Sequence, residues 1–497
     1  MGFEDDERCG WSALAMAEAV AAGRVSSVEL TEAHLRRIEA RNDAVGVVVT
    51  LDAGRALADA AALDAERASG RRRGAFHGVP MTVKDSFQTV GMRTTSGAPE
   101  YATFVPDRDA DVVARMRAAG AVIVGKTNLP IFAGDVQSFN ELFGTSSNPW
   151  DPARSVGGSS GGSAGALACG FTPLEIGSDI AGSIRNPAGM CGVVGHKPSF
   201  GVVSGRGQIP GPPGTLTEAD LAVVGPMART VADAAAMLEV LAGPNDWLAP
   251  AWQLRLPPAR AHDPERLRIA LWSDDPACPV DHHVRAAVEG VGAALEAAGA
   301  RVDATARPEG VNFERSVDTF WRLLGGALAG TWTPAEIEQH ADRVTAGERV
   351  EGELGVVHSE QRHRAWLSAN ERRLQLRSRW RRFFEDWDVV IAPISPTVAI
   401  PHDHSYPLTS RTLTVNDSVR PYTDQMAWMG LFGVVYLPAT AVPVAIHPDG
   451  LPIGVQVVGP FLEDRTTLAA AAVVESLTGG FRWPPGWDPR DAKGTAR

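Results

Sequence analysis

Residues 157–195 read GGSSGGSAGALACGFTPLEIGSDIAGSIRNPAGMCGVVG, which sets serines into glycine-rich backbone at both ends of the stretch. Glycine allows close approach and positive φ, so main-chain N–H groups can converge on a ligand with no side chain between. A second signal lies in the basic residues. Of 47 lysines and arginines only four are lysine: Lys84, Lys126, Lys197 and Lys493. Where a composition favours arginine this strongly, lysine is expected to persist where arginine cannot serve, above all at a base that must lose its proton. Lys84 sits in GVPMTVKDSF, an apolar run that reads as a short strand ending in a loop. The residues predict serine chemistry with a lysine base.

Outward from this stretch, strand-like apolar runs alternate with helical patterns, which predicts an α/β architecture. Ser26-Ser27-Val28-Glu29 is a capping box opening a helix that ends near Asn42. Residues 121–128 (AVIVGKTN) read as a buried strand, and 230–243 as a helix closed by Gly243 ahead of Pro244. RIALW, a helix over 281–299 and ARVDATA form a strand–helix–strand unit. Residues 359–386 read as one long helix before the strand DVVIAP. VVYLPATAVPVAI and GLPIGVQVVG read as paired strands, with TTLAAAAVVESLTG as a closing helix. The expected organisation is a flexible 1–10, one domain over 11–480 with a peripheral connector at 244–266, and a frayed tail at 481–497.

A chain of 497 residues with 44% hydrophobic content can bury a substantial core. Its net charge of −12 argues against a nucleic-acid binder. Cys9, Cys169, Cys191 and Cys278 form no CxxC pair, which fits a reducing cytoplasm better than a disulfide framework. The start MGFEDDERCG has no apolar signal region, and Asp6 stands where myristoylation needs Ser or Thr. The longest apolar run, near 431–446, is interrupted by Pro438 and Pro443 and is too short to span a bilayer. A cytoplasmic protein without a membrane partner is expected.

Lys84, GGSSGGSAG (157–165) and GSDIAGSIRNPAGMCGVVGHKPS (177–199) together resemble the amidase signature family. Gly225-Pro226-Met227-Ala228-Arg229-Thr230, NLPIFAGDVQSFNELFGTSSNPWDP (128–152) and DGLPIGVQVVG (449–459) extend the match over roughly 11–480. The resemblance implies a single large α/β domain, a mixed β-sheet covered on both faces by helices. It also implies a Ser–cisSer–Lys triad, with Ser183 as nucleophile, Ser159 as the bridging serine and Lys84 as base. The N–H groups of Ile180, Ala181, Gly182 and Ser183 would form an oxyanion hole. Phe132, Gly134 and Asp135 would line the substrate pocket, with Trp428, Met429 and Leu431 as weaker candidates for an apolar wall. Relatives often carry glycine where this chain has Ala181, whose methyl is expected to bear on substrate choice. Family members hydrolyse primary amides, anilides, fatty amides and in some cases esters or carbamates. No cofactor or metal is implied, the partner is a small amide-type substrate, and a homodimer is compatible with it.

Lysine has an ordinary pKa of about 10.4, so the site must depress it by desolvation or cationic neighbours. Met81, Val83 and Phe87 fit a buried Lys84, whereas Asp85 opposes it unless strand alternation turns it away. Gly158–Gly162 also fits the nucleophile elbow of α/β-hydrolases, but 145–156 is loop-like where that motif needs a strand, and Lys84 would go unexplained. Ser163 and Ser199 read as structural, Ser160 as a support to the site, and Asp179 and Arg185 as holding its loop. His402-Asp403-His404 and His282-His283 lack a spaced set of further metal ligands. The arginine-rich stretch 372–382 reads as a solvated helical face over buried Trp380 and Phe384. The rival reading is the glutaminase subunit of a tRNA-dependent amidotransferase. That subunit typically carries a glycine–tyrosine-rich block, and none is seen between Gly325 and Arg382.

Overall fold

Helix α1 (Ala13–Ala21) is capped by Ser12, and α2 (Ser27–Arg41) carries the expected capping box. Ser26 Oγ accepts from the Glu29 N–H at 3.0 Å, and Glu29 Oε2 accepts from the Ser26 N–H at 2.7 Å. The computed structural model describes residues 7–209, 214–331, 335, 337, 338, 342, 358, 359 and 361–493. After α2 come β1 (Val48–Leu51), α3 (Ala53–Ala68), β2 (Pro80–Lys84), α4 (Asp111–Ala118) and β3 (Val122–Thr127). The strands form a small sheet ordered β1-β3-β2, in which β3 runs antiparallel to β1 and parallel to β2. β2 and β3 are buried along their whole length, which is why both read as unbroken runs rather than as alternating patterns.

A short hairpin, β4 (Phe139–Asn140) with β5 (Gly144–Thr145), precedes α5 (Gly161–Ala168), β6 (Leu174–Asp179), α6 (Arg185–Cys191), β7 (Val194–Lys197) and β8 (Val223–Ala228). Then follow α7 (Val231–Leu241), β9 (Arg268–Leu271), α8 (His282–Ala297), β10 (Arg301–Asp303), α9 (Phe313–Leu328) and α10 (His363–Asp386). The chain closes with β11 (Val389–Pro393), the hairpin β12 (Thr412–Val415) and β13 (Ser418–Pro421), α11 (Asp424–Gly433), β14 (Ala439–Ile446), β15 (Pro452–Val458) and α12 (Asp464–Thr478). Eight of these strands make one mixed sheet, ordered β10-β9-β11-β15-β14-β7-β8-β6. As predicted, β9, α8 and β10 form a parallel strand–helix–strand unit, and β14 and β15 pair antiparallel.

Strand alternation sends neighbouring residues to different cores. Val442, Val455 and Val457 join the apolar cluster that holds α7, α8 and α12, whereas Ala441 and Ile394 join the one that holds α5 and α6. The fold is therefore a single mixed α/β domain with helices on both faces of its large sheet.

Two boundaries differ from the sequence reading. The strand expected from residue 434 starts at Ala439, because Tyr436 takes φ of 68° and Pro438 has no N–H for a ladder. The long helix begins at His363, and residue 360 of the expected span lies outside the described residues. At the end of the chain, Trp487 is buried edge-on to Phe171, and Arg37 donates to its carbonyl at 2.6 Å, so this part of the expected tail is anchored. Among the described residues no helix is long and apolar enough to cross a membrane.

Candidate active site

The ends of three buried elements meet at Lys84. It is the last residue of β2, Ser159 and Ser160 immediately precede α5, and Ser178 stands near the end of β6. Lys84 Nζ donates to Ser159 Oγ at 2.7 Å, Ser160 Oγ at 3.0 Å and Ser178 Oγ at 3.0 Å. Glycine permits the approach. A Cβ on Gly158 would lie 2.6 Å from the Gln137 nitrogen, and one on Gly162 would lie 2.4 Å from the Asn128 nitrogen. The Gly158–Ser159 peptide bond is cis. The Ser160 N–H donates to the Ser183 carbonyl at 3.1 Å, and the Gly158 N–H to Asn186 Oδ1 at 3.2 Å, so the 158–160 turn is tied to the 183–186 segment on both sides.

Burial controls the charge here. Loss of solvent pushes Lys84 down to about 7, against the opposing pull of Asp179 and Glu175. Asp85 faces away, as strand alternation allows. Its carboxylate accepts from Thr95 and stands 3.7 Å from Lys126 Nζ. A neutral amine has two N–H bonds and one lone pair. The three hydroxyls around Nζ fill those valences if Ser160 and Ser178 accept and Ser159 donates. The arrangement can therefore draw a proton from Ser159 at neutral pH.

Ser183 is 5% exposed, while Lys84 and Ser159 are fully enclosed, so it is the outermost of the three. Beside it, Asp179 fastens the loop. Its Oδ1 accepts from the Gly182 N–H at 2.8 Å and from Arg185 Nη2 at 3.0 Å, and its Oδ2 from Arg185 Nε at 3.0 Å. Burial alone would raise Asp179, but the Arg185 guanidinium and these donors hold it below the ordinary carboxylate range. Arg185 is fixed in turn by the Met429 carbonyl at 3.0 Å and Gln456 Oε1 at 2.9 Å. The expected oxyanion donors differ in their partners. The Gly182 N–H is already committed to Asp179, whereas those of Ile180, Ala181 and Ser183 make no hydrogen bond among the described residues.

The expected pocket residues divide. Phe132 is half-buried, left-handed at φ 51°, and edge-on to Tyr101 at 5.9 Å. Gly134 is exposed. Asp135 is held through both oxygens, Oδ2 accepting from Arg411 at 2.6 Å and Oδ1 from the Tyr422 hydroxyl at 2.8 Å. Of the weaker candidates, Met429 lies against Gly182, where a Cβ would meet its sulfur. Trp428 donates to the Cys278 carbonyl at 3.0 Å and packs against Trp272 and Phe313, while Leu431 is buried in the same apolar core. The sequence reading missed Ser178, whose only signal is a hydroxyl in a strand buried throughout. It also missed Arg411, which lies 276 residues from its partner. Among the described residues no three His, Cys, Asp or Glu side chains gather as a metal would require. The four cysteines are buried and form no disulfide among the described residues.

The Amidase family profile matches residues 29–468. A glutamyl-tRNA(Gln) amidotransferase subunit of Thermosynechococcus vestitus is 32% identical, covering 91% of this chain and 95% of its own length. An indoleacetamide hydrolase of Bradyrhizobium diazoefficiens is 34% identical, covering 94% of this chain and 87% of its own. Among solved structures, a 6-aminohexanoate cyclic dimer hydrolase superposes with a TM-score of 0.76 at 30% identity, covering 96% of this chain and 99% of that one.

Proposed function

The chain belongs to the amidase signature family of amidohydrolases, and from that premise we propose that it acts alone to hydrolyse a small amide through an acyl-Ser183 intermediate. The observation that carries this reading is the enclosed Lys84 amine within 2.7 Å of Ser159 Oγ. In this scheme Lys84 takes a proton from Ser159, Ser159 takes one from Ser183, and the Ser183 oxygen attacks the substrate carbonyl. The N–H groups of Ile180, Ala181 and Ser183 receive the oxyanion, where each such donor is worth about 10²–10³ in rate in other enzymes. The proton then returns through Ser159 to the leaving amine, and water cleaves the acyl-enzyme. The similarity to an indoleacetamide hydrolase and the rings of Phe132 and Tyr101 favour primary amides or anilides with an apolar acyl group, with carbamates and esters as lesser substrates.

The test is product release by the purified chain and by Ser183→Ala. The panel contains primary amides, nitroanilides, aryl carbamates, matched esters and glutamine. Cleavage of one class that Ser183→Ala abolishes, together with loss of fluorophosphonate labelling, is the expected result. Equal turnover by the variant overturns the assignment. A second reading, the glutaminase subunit of a tRNA-dependent amidotransferase, is favoured by the similarity to such subunits along nearly the whole chain. Turnover confined to glutamine, with copurifying partner subunits, would select it.

A further inference from the structure

Behind the Lys84 cluster lies a second buried polar layer carried by the same elements. Thr82 stands two residues before Lys84 on β2, Ser163 four after Ser159 in α5, and Glu175 three before Ser178 on β6. Thr127 joins them from β3, and all four are fully enclosed. Thr127 and Ser163 hydrogen-bond through their hydroxyls at 3.0 Å, and Glu175 Oε2 accepts from the Ile176 N–H at 3.2 Å. The hydroxyls of Thr82, Ser163 and Thr127 favour the ionised form of the carboxyl. Its Oε1 and Thr82 Oγ1 nonetheless complete no hydrogen bond of ordinary geometry among the described residues.

Two other carboxylates lie near, and each has a cation of its own. Asp179 is held by Arg185 at 3.0 Å, and Asp85 stands 3.7 Å from Lys126. Glu175 has no ion-pair partner among the described residues, yet its charge acts on both Lys84 and Lys126. An enclosed carboxyl without a fixed cation, on the strand whose Ser178 hydroxyl meets the candidate base, gains or loses its charge together with that base. Burial pushes Glu175 up to about 7, the range to which burial brings Lys84 down.

We propose that Glu175 is a positioning residue that acts through Lys84, its carboxylate setting the acidity at which Lys84 gives up its proton and hence the pH at which the hydrolase switches on. The inference rests on Lys84 being the base. A negative Glu175 favours the ammonium form of Lys84. Removing that charge lets Lys84 stay neutral in more acid solution.

The experiment follows the rate of fluorophosphonate labelling against pH, which needs no knowledge of the substrate. Glu175→Gln should move the acid limb to lower pH by about one unit, while Glu175→Asp keeps it near the wild-type position. Thr82→Val, which removes a hydroxyl that favours the carboxylate, should move the limb in the same direction as Glu175→Gln and serves if that variant does not fold. A limb unmoved in Glu175→Gln, or in Thr82→Val where only that one folds, overturns the proposal. Labelling of Lys84→Ala at the wild-type rate overturns instead the assignment of the base.

Discussion

A lysine enclosed among three hydroxyls and brought down to about 7 can act as a base only where it has lost its proton. Below that pH the ammonium form has no lone pair, so kcat/KM should fall about tenfold per unit as the solution is acidified. Lys84→Ala should lose about 10²–10⁴ of the activity and the acid limb with it, as a pH profile of both proteins would show. At this scale the sequence was readable where chemistry leaves few choices. A lysine kept in an arginine-rich chain, and serines framed by glycine, point to themselves. Ser178 and Arg411 did not, because their importance comes from neighbours on other elements rather than from residues beside them in the chain. The Gly182 N–H illustrates the same limit, since only the fold shows that Asp179 has already taken it.

Among the elements, α6 depends on one buried ion pair. Arg185 is fully enclosed and joins Asp179, the Met429 carbonyl and Gln456, which links the end of β6 to α11 and β15. Arg185→Leu would leave Asp179 buried and uncompensated, and a loss of about 3–5 kcal/mol is expected in a urea titration. Arg285→Ala, which removes an exposed pair with Glu289, should leave the midpoint unmoved. Elements with local signatures were legible, such as the capping box of α2 and the unbroken apolar runs of β2 and β3. The start of β14 was misplaced because residues 434–437 are as apolar as the strand that follows. Composition cannot reveal that Tyr436 turns the backbone into the left-handed region.

For the whole molecule, three enclosed lysines govern stability in mild alkali. Lys84, Lys126 and Lys197 are brought by burial to about 7, 8 and 7 from 10.5. Between those values the unfolded chain binds protons that the folded one does not, so stability rises with pH through this window. Glu175 works oppositely, but only from 4.5 up to about 7. Burial pushes Cys169, Cys191, Cys278, Tyr422 and Tyr436 up, so above about 9 the unfolded chain ionises these groups first and opposes the lysine gain. Calorimetry should find Tm higher at about pH 8.5 than at pH 7, with the rise flattening towards about pH 10.

The strand order carries a consequence for how this molecule is made. β14 and β15, among the last strands translated, sit between β11 and β7 in the middle of the large sheet. Until they leave the ribosome, β11 and β7 have no neighbour on those sides, and the nascent chain carries two open edges. Completion of the sheet must therefore wait until residues 439–458 have been made and released from the ribosome. A message cut short before residue 439 would yield not a weaker enzyme but a chain for chaperones to hold or proteases to clear.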